Sequence, residues 1–198
     1  MQPISTDFGA LTQREEPVRR PMTRHSHATI ALHWCSVALI LISASAVLLR
    51  EWVETPGVRV FLLDLHRQTG TLVLLGLVLR LAVRFTIGLA DMSKNMPVIL
   101  KFAAHVAHLA LYGALLTLPL LGWAVSNAHG VPITLLGLPL PNLVQADSDL
   151  ADTLTDYHVW AAWGMLALVV AHAGAAWWHH AIRRDGVLTA MLPALRRR

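Results

Sequence analysis

Residues 156–180 read DYHVWAAWGMLALVVAHAGAAWWHH, with His158 near one end and His172 fourteen residues later. About 20 apolar residues carry a helix across a bilayer core, so this run predicts a membrane-spanning helix. Imidazoles inside such a helix are expensive and mark function by default. Fourteen residues is almost four turns, which puts the two rings about 40° apart on one face and about 21 Å apart along the axis. Two ligands on one face at two depths suggest two metal centres stacked across a membrane. Each centre then needs a partner from elsewhere in the chain.

Three further spans precede this one, at Thr29–Trp52, Leu65–Phe85 and Phe102–Asn127. The fold expected is an all-α integral membrane four-helix bundle. Composition agrees: the 198 residues are 55% hydrophobic and only 14% charged, against about 25% charged in soluble domains. Residues 1–24 are polar and proline-bearing and read as a disordered tail. Residues 25–182 form the four-helix domain, and 183–198 a basic tail. Pro119 interrupts the third span and is expected to kink it. Residues 128–155, with five Pro and Gly between 130 and 141, read as a connection with tight turns.

Basic residues set the orientation. The N-terminal tail carries Arg14, Arg19, Arg20 and Arg24; the second connection carries Lys94 and Lys101, with Arg84 at its edge; the C-terminal side carries Arg183, Arg184 and Arg196–Arg198. On the other side, Arg50 and Arg59 face Glu51, Glu54 and Asp64, and residues 128–155 hold no Lys or Arg but Asp147, Asp149 and Asp152. Both termini are therefore expected to be cytoplasmic. The net charge of +4 follows from this distribution and predicts no nucleic-acid partner; membrane lipid is the expected surroundings.

With both ends inside, each histidine acquires a depth. His33 lies near the inner face and His66 near the outer one, so the pairs sharing a level are His66 with His158 and His33 with His172. Four histidines at two matched levels suit two bis-imidazole haems, since haem iron takes one axial ligand on each face. The single Cys35 excludes cysteine-ligated iron–sulfur clusters, and no paired cysteines suggest structural zinc. The competing reading of each histidine is an interhelical hydrogen bond. Gly70 and the Ala173–Ala176 stretch either make room for a macrocycle or let helices pack closely.

Arg80, fourteen residues after His66, lies deep on the inner side and needs an anion; a haem propionate is the expected partner. Arg84 is read as snorkelling to lipid phosphate. His105 and His108 sit at the inner end of span three. They are candidate contacts for a quinone or a propionate, or substitute haem ligands, with interfacial polar residues as the alternative. His179 and His180, after Trp177 and Trp178, read as part of an aromatic anchoring belt. His25, His27 and His129 fall outside the spans and read as surface residues.

The ordered set IALHW at 30–34, LHRQTG at 65–70, HVAH at 105–108, LPLLGW at 118–123 and the His158–His172 spacing resembles the bacterial cytochrome b561 family. This is a small four-helix, di-haem group related to the cytochrome b subunits of nickel–iron hydrogenases. The resemblance covers residues 24–198 and leans towards the superoxide oxidase branch. It implies that His33, His66, His158 and His172 ligate two haem b groups in a bacterial inner membrane. It further implies electron transfer from the outer face to ubiquinone, with superoxide as donor. One departure bears on that donor: only Arg50, Arg59 and Arg67 are left to attract an anion outside. The alternatives are a cytochrome b subunit serving a periplasmic dehydrogenase or hydrogenase and, from another class, a non-redox transporter or structural bundle.

Overall fold

The computed structural model describes residues 26–87 and 97–192. The N-terminal tail with His25, the link containing Lys94, and Arg196–Arg198 lie outside the described residues. Four helices in the described part are long and apolar enough to cross a membrane. The first, α1, is His27–Arg50; Ser26 caps it, its Oγ accepting the Thr29 amide at 3.1 Å. Next, α2 is Pro56–Ile87 and opens on a proline, whose fixed φ and missing N–H suit the first helical position. The α3 helix is Val98–Ala128 and passes through Pro119 without a break in the helix.

Between α3 and α4 the chain makes a small antiparallel hairpin, β1 (Thr134–Leu135) with β2 (Leu138–Pro139). Its two-residue turn, Leu136–Gly137, has both φ angles positive, the type I′ geometry that matches strand twist. Gly137 adopts this freely; Leu136 is held there against a penalty of about 1–2 kcal/mol. Gln68 of α2 holds the hairpin down: its Nε2 donates to the Thr134 carbonyl at 2.8 Å and its Oε1 accepts the Leu136 amide at 3.4 Å. Asn127 is buried and satisfied, accepting the Leu143 amide at 2.8 Å and donating to the Val131 carbonyl. The connection is thus more ordered than a string of turns.

The last span, α4, is Ser148–Trp178. It starts eight residues before the apolar run, because Asp147 Oδ1 accepts the Leu150 amide at 3.0 Å and caps the helix there. At the far end α4 widens into a π-helical turn, His179–Arg183. Arg184 and Gly186 in left-handed conformations then reverse the chain into a short helix, α5 (Val187–Met191).

Packing divides the bundle into hairpins. The α1 helix lies closely on α2, α3 on α4, and α2 on α3, whereas α4 meets α1 and α2 mainly through side chains. The core is one layer: Val73 and Leu77 of α2, Leu115 of α3 and Met165 of α4, with Leu39 and Ile40 of α1 against it. Met165 is seven residues from His158 and from His172, so this layer sits midway between the two histidine levels. Large apolar side chains point outward elsewhere, Leu109 being 75% exposed, as lipid-facing surfaces require. Trp52 and Trp160 towards one end and Trp177 and Trp178 towards the other are exposed, consistent with interfacial belts. One end of the bundle is thus the hairpin end and the other, where α1 begins and α4 finishes, the terminus end.

Candidate haem sites

At the hairpin end His66 and His158 approach each other across the space between α2 and α4, ring centroids 6.0 Å apart and planes at 89°. At the terminus end His33 and His172 bring α1 to α4, with centroids 6.4 Å apart and planes at 60°. Both pairs join helices whose backbones approach each other less closely than neighbours within each hairpin do. Two imidazoles on opposite faces of one iron, with bonds of about 2 Å and about 1 Å from nitrogen to ring centre, stand about 6 Å apart. The separations at both levels fit that requirement. Among the described residues no three or more His, Cys, Asp or Glu side chains converge on one point, the arrangement a structural zinc site would need.

The surroundings orient the hairpin-end pair. His66 Nδ1 lies 3.0 Å from the Ser43 carbonyl and 3.0 Å from Ser43 Oγ. A carbonyl only accepts, so Nδ1 carries the proton and Nε2 keeps its lone pair for a metal. Ser43 Oγ also donates to the His66 carbonyl at 3.3 Å, locking α1 to α2 at this height. His158 rests against α3 where Gly122 has no side chain: a Cβ there would stand 3.0 Å from His158 Cε1. His158 Nδ1 is buried and makes no hydrogen bond of ordinary geometry among the described residues. Arg50 Nε and Trp123 Nε1, also near the hairpin end, are buried donors without a hydrogen-bond partner among the described residues. The carboxylates of a bound haem would suit Arg50 Nε and Trp123 Nε1.

At the terminus end Arg80 comes within 3.4 Å of His33 Nδ1, long for a hydrogen bond. The Arg80 and Arg84 guanidinium groups both lie over the Tyr112 ring, at 5.7 and 5.6 Å. No carboxylate pairs with either arginine among the described residues. His108 reaches the same cluster, 5.6 Å from His172, while His105 turns away and its Nδ1 donates to the Lys101 carbonyl at 2.7 Å. The two histidines read together in the sequence therefore part company.

The model of the prokaryotic cytochrome b561 family matches residues 24–194. This chain belongs to that family. Three relatives agree. Cytochrome b561 homolog 1 of Escherichia coli (strain K12) is 32% identical over 175 residues, which are 87% of this chain and 98% of that protein. The probable superoxide oxidase CybB of Yersinia pestis is 28% identical over 173 residues, covering 87% and 98%. Cytochrome b561 homolog 2 of E. coli (strain K12) is 31% identical over 174 residues, covering 85% and 91%. The chain is accordingly a b-type haem-binding electron-transfer protein of a bacterial membrane, which sets aside a non-redox transporter or purely structural bundle.

Several residues around this cytochrome's histidines carry no signal in the sequence. Ser43 and Gly122 touch His66 and His158 from other helices, and Tyr112 stacks beneath two arginines. LPLLGW contains Gly122 as a motif, yet nothing in the string says that its missing side chain faces His158. His179 departs from the belt reading: it is buried and paired with Asp185. Among the described residues Gly70 and Gly174 have nothing within 4 Å of where a Cβ would stand, so close packing of these helices does not require them.

Proposed function

We propose that this cytochrome binds two haem b groups, one between His66 and His158 and one between His33 and His172. It oxidises superoxide at the outer face of the bacterial inner membrane and reduces ubiquinone. The observation that carries the reading is the pair of imidazole pairs, each at bis-ligation distance, about 21 Å apart along α4. Bound there, haem b supplies one-electron redox chemistry. The chain's residues do the rest. Ser43 holds His66 in the tautomer that leaves Nε2 free, and Gly122 lets His158 seat against α3. The layer of Val73, Leu77, Leu115 and Met165 keeps water out of the space between levels. Arg80 serves a propionate or a quinone, and His108 stands at the same place; His105 belongs to that surface without reaching His172.

Orientation follows from charge: Arg84, Lys101, Arg183 and Arg184 all lie at the terminus end, which is the cytoplasmic side with both termini. The domain limits are 25–182, flanked by the tail 1–24 and the basic segment 183–198. On the outer side Arg59 is committed, its NH1 donating to the Arg50 and Val53 carbonyls at 2.9 and 3.1 Å. Arg50 and Arg67 remain as the cations that attract superoxide, Arg50 also pairing with Glu51 at 3.2 Å. Two superoxide anions and two protons convert one ubiquinone to ubiquinol with release of two dioxygen molecules.

The test uses the purified chain with a steady enzymatic source of superoxide and a short-chain ubiquinone. Ubiquinol formation above the spontaneous rate, at two superoxide per quinone, is expected. A chain whose haems are reduced by dithionite but never by superoxide refutes the donor. A second reading, a subunit serving a periplasmic dehydrogenase or hydrogenase, draws on the hairpin tip, where Leu136 and Leu138 are 78% and 71% exposed. A stable periplasmic redox protein co-purifying with the chain would favour it.

A further inference from the structure

The terminus-end histidine pair spans α1 and α4, whose backbones approach each other far less than those of α1 and α2 or of α3 and α4 and which meet mainly through side chains. Contacts beyond the spans therefore have a share in setting their separation there. His179 lies seven residues beyond His172, about 10 Å further along the axis and about 20° round, so it continues the same face. It is buried, and Asp185 Oδ2 pairs with its Nδ1. Arg183 Nε meets the same carboxylate at 3.4 Å, and the Arg183 guanidinium lies over the Trp178 ring at 5.5 Å. Asp185 Oδ1 accepts the Val187 amide at 3.3 Å, so one carboxylate ties the end of α4 to the start of α5. The far end of α5 is held by α1: Trp34 Nε1 donates to the Met191 carbonyl at 2.9 Å across 157 residues of sequence. Trp34 also sets its ring edge-on to His33, centroids 5.4 Å apart.

We propose that residues 179–191 are a clasp joining α4 to α1, with Asp185 and Trp34 as positioning residues for the His33–His172 pair. The inference rests on the haem reading above. Each fastening acts through its neighbour: Asp185 fixes the reversal after α4, the reversal aims α5, and Met191 holds Trp34 beside His33. The clasp lies wholly at the terminus end, so loosening it acts on one histidine pair and leaves His66 and His158 alone.

The test uses the full-length, haem-loaded chain and follows haem transfer to apomyoglobin together with the low-spin haem signals in electron paramagnetic resonance. Trp34→Phe keeps an aromatic ring and removes the N–H; Asp185→Asn weakens the contacts to His179 and Arg183 from outside the spans, and Asp185→Glu is the rescue. Release of the terminus-end haem about fivefold faster is expected, the factor that one hydrogen bond of ordinary strength supplies. Its resonance signal should shift while the other haem stays unchanged, and Asp185→Glu should restore much of the wild-type rate. Equal acceleration of both haems would show a general loss of stability and overturn the proposal, as would wild-type rates in both variants. The controls His33→Ala and His172→Ala separate the two failures. If they leave haem content unchanged, the haem reading is wrong; if each removes one haem and the clasp variants do nothing, only the clasp is wrong.

Discussion

Gly122→Ala places a methyl group 3.0 Å from His158 Cε1, 3.5 Å from Nδ1 and 3.8 Å from Nε2. Carbon atoms rest about 3.5–4.0 Å apart, so the ring must retreat by about 0.5–1 Å from α3. Overpacking of this kind costs about 1–3 kcal/mol, which corresponds to haem affinity lowered by about 5- to 150-fold at the hairpin-end site. Alanine also favours the helix over glycine by about 1 kcal/mol. That gain is common to the loaded and the haem-free chain and cancels from the binding comparison. The assay is haem release to apomyoglobin, paired with resonance spectra and melting of the haem-free bundle. One haem should leave faster with a shifted signal, the other should leave at its normal rate, and the haem-free bundle should melt no lower. Wild-type release and unshifted signals for both haems would refute the argument that Gly122 seats His158.

Ser43→Ala removes the hydroxyl but keeps the carbonyl that orients His66, so a loss of about 0.5–1.5 kcal/mol at the same site is expected. Haem release a few-fold faster, smaller than for Gly122→Ala, is the readout; no change would mean that the carbonyl alone fixes the tautomer. Gln68→Leu cuts the hairpin's ties to α2 at Thr134 and Leu136. Amide exchange across 133–140 should rise by about tenfold or more while α2 itself stays protected. Unchanged exchange would show that Asn127 and the bond from the Leu140 amide to the Ile133 carbonyl at 2.9 Å hold the hairpin unaided.

Four spans are readable because hydropathy is written in continuous runs, and the depth of His33, His66, His158 and His172 because helical rise converts position into height. Pairing by level follows from that arithmetic, and the structure brings together the same residues. What escapes the string is lateral. His105 and His108 are three residues apart, yet helical rotation sends one to Lys101 and the other to His172. Gly122 and His158 meet only because α3 packs on α4, and no local rule announces that contact. The early start of α4 has a signal, Asp147 as a capping residue, but the polar turns after it hide the helix from hydropathy. The partnership of His179 with Asp185 depends on a π-helical turn and a left-handed Arg184, features a 3.6-residue period does not anticipate.

Two imidazole pairs, each joining α4 to the α1–α2 hairpin, are proposed to hold two haems. Pyridine haemochrome counting on the purified chain and its four single His→Ala variants tests it most directly. Two haem b per wild-type chain are predicted. His66→Ala and His158→Ala should lose the same spectral component, and His33→Ala and His172→Ala the other one. Loss of a shared component by His33→Ala and His66→Ala, or an unchanged count in any of the four, would contradict it.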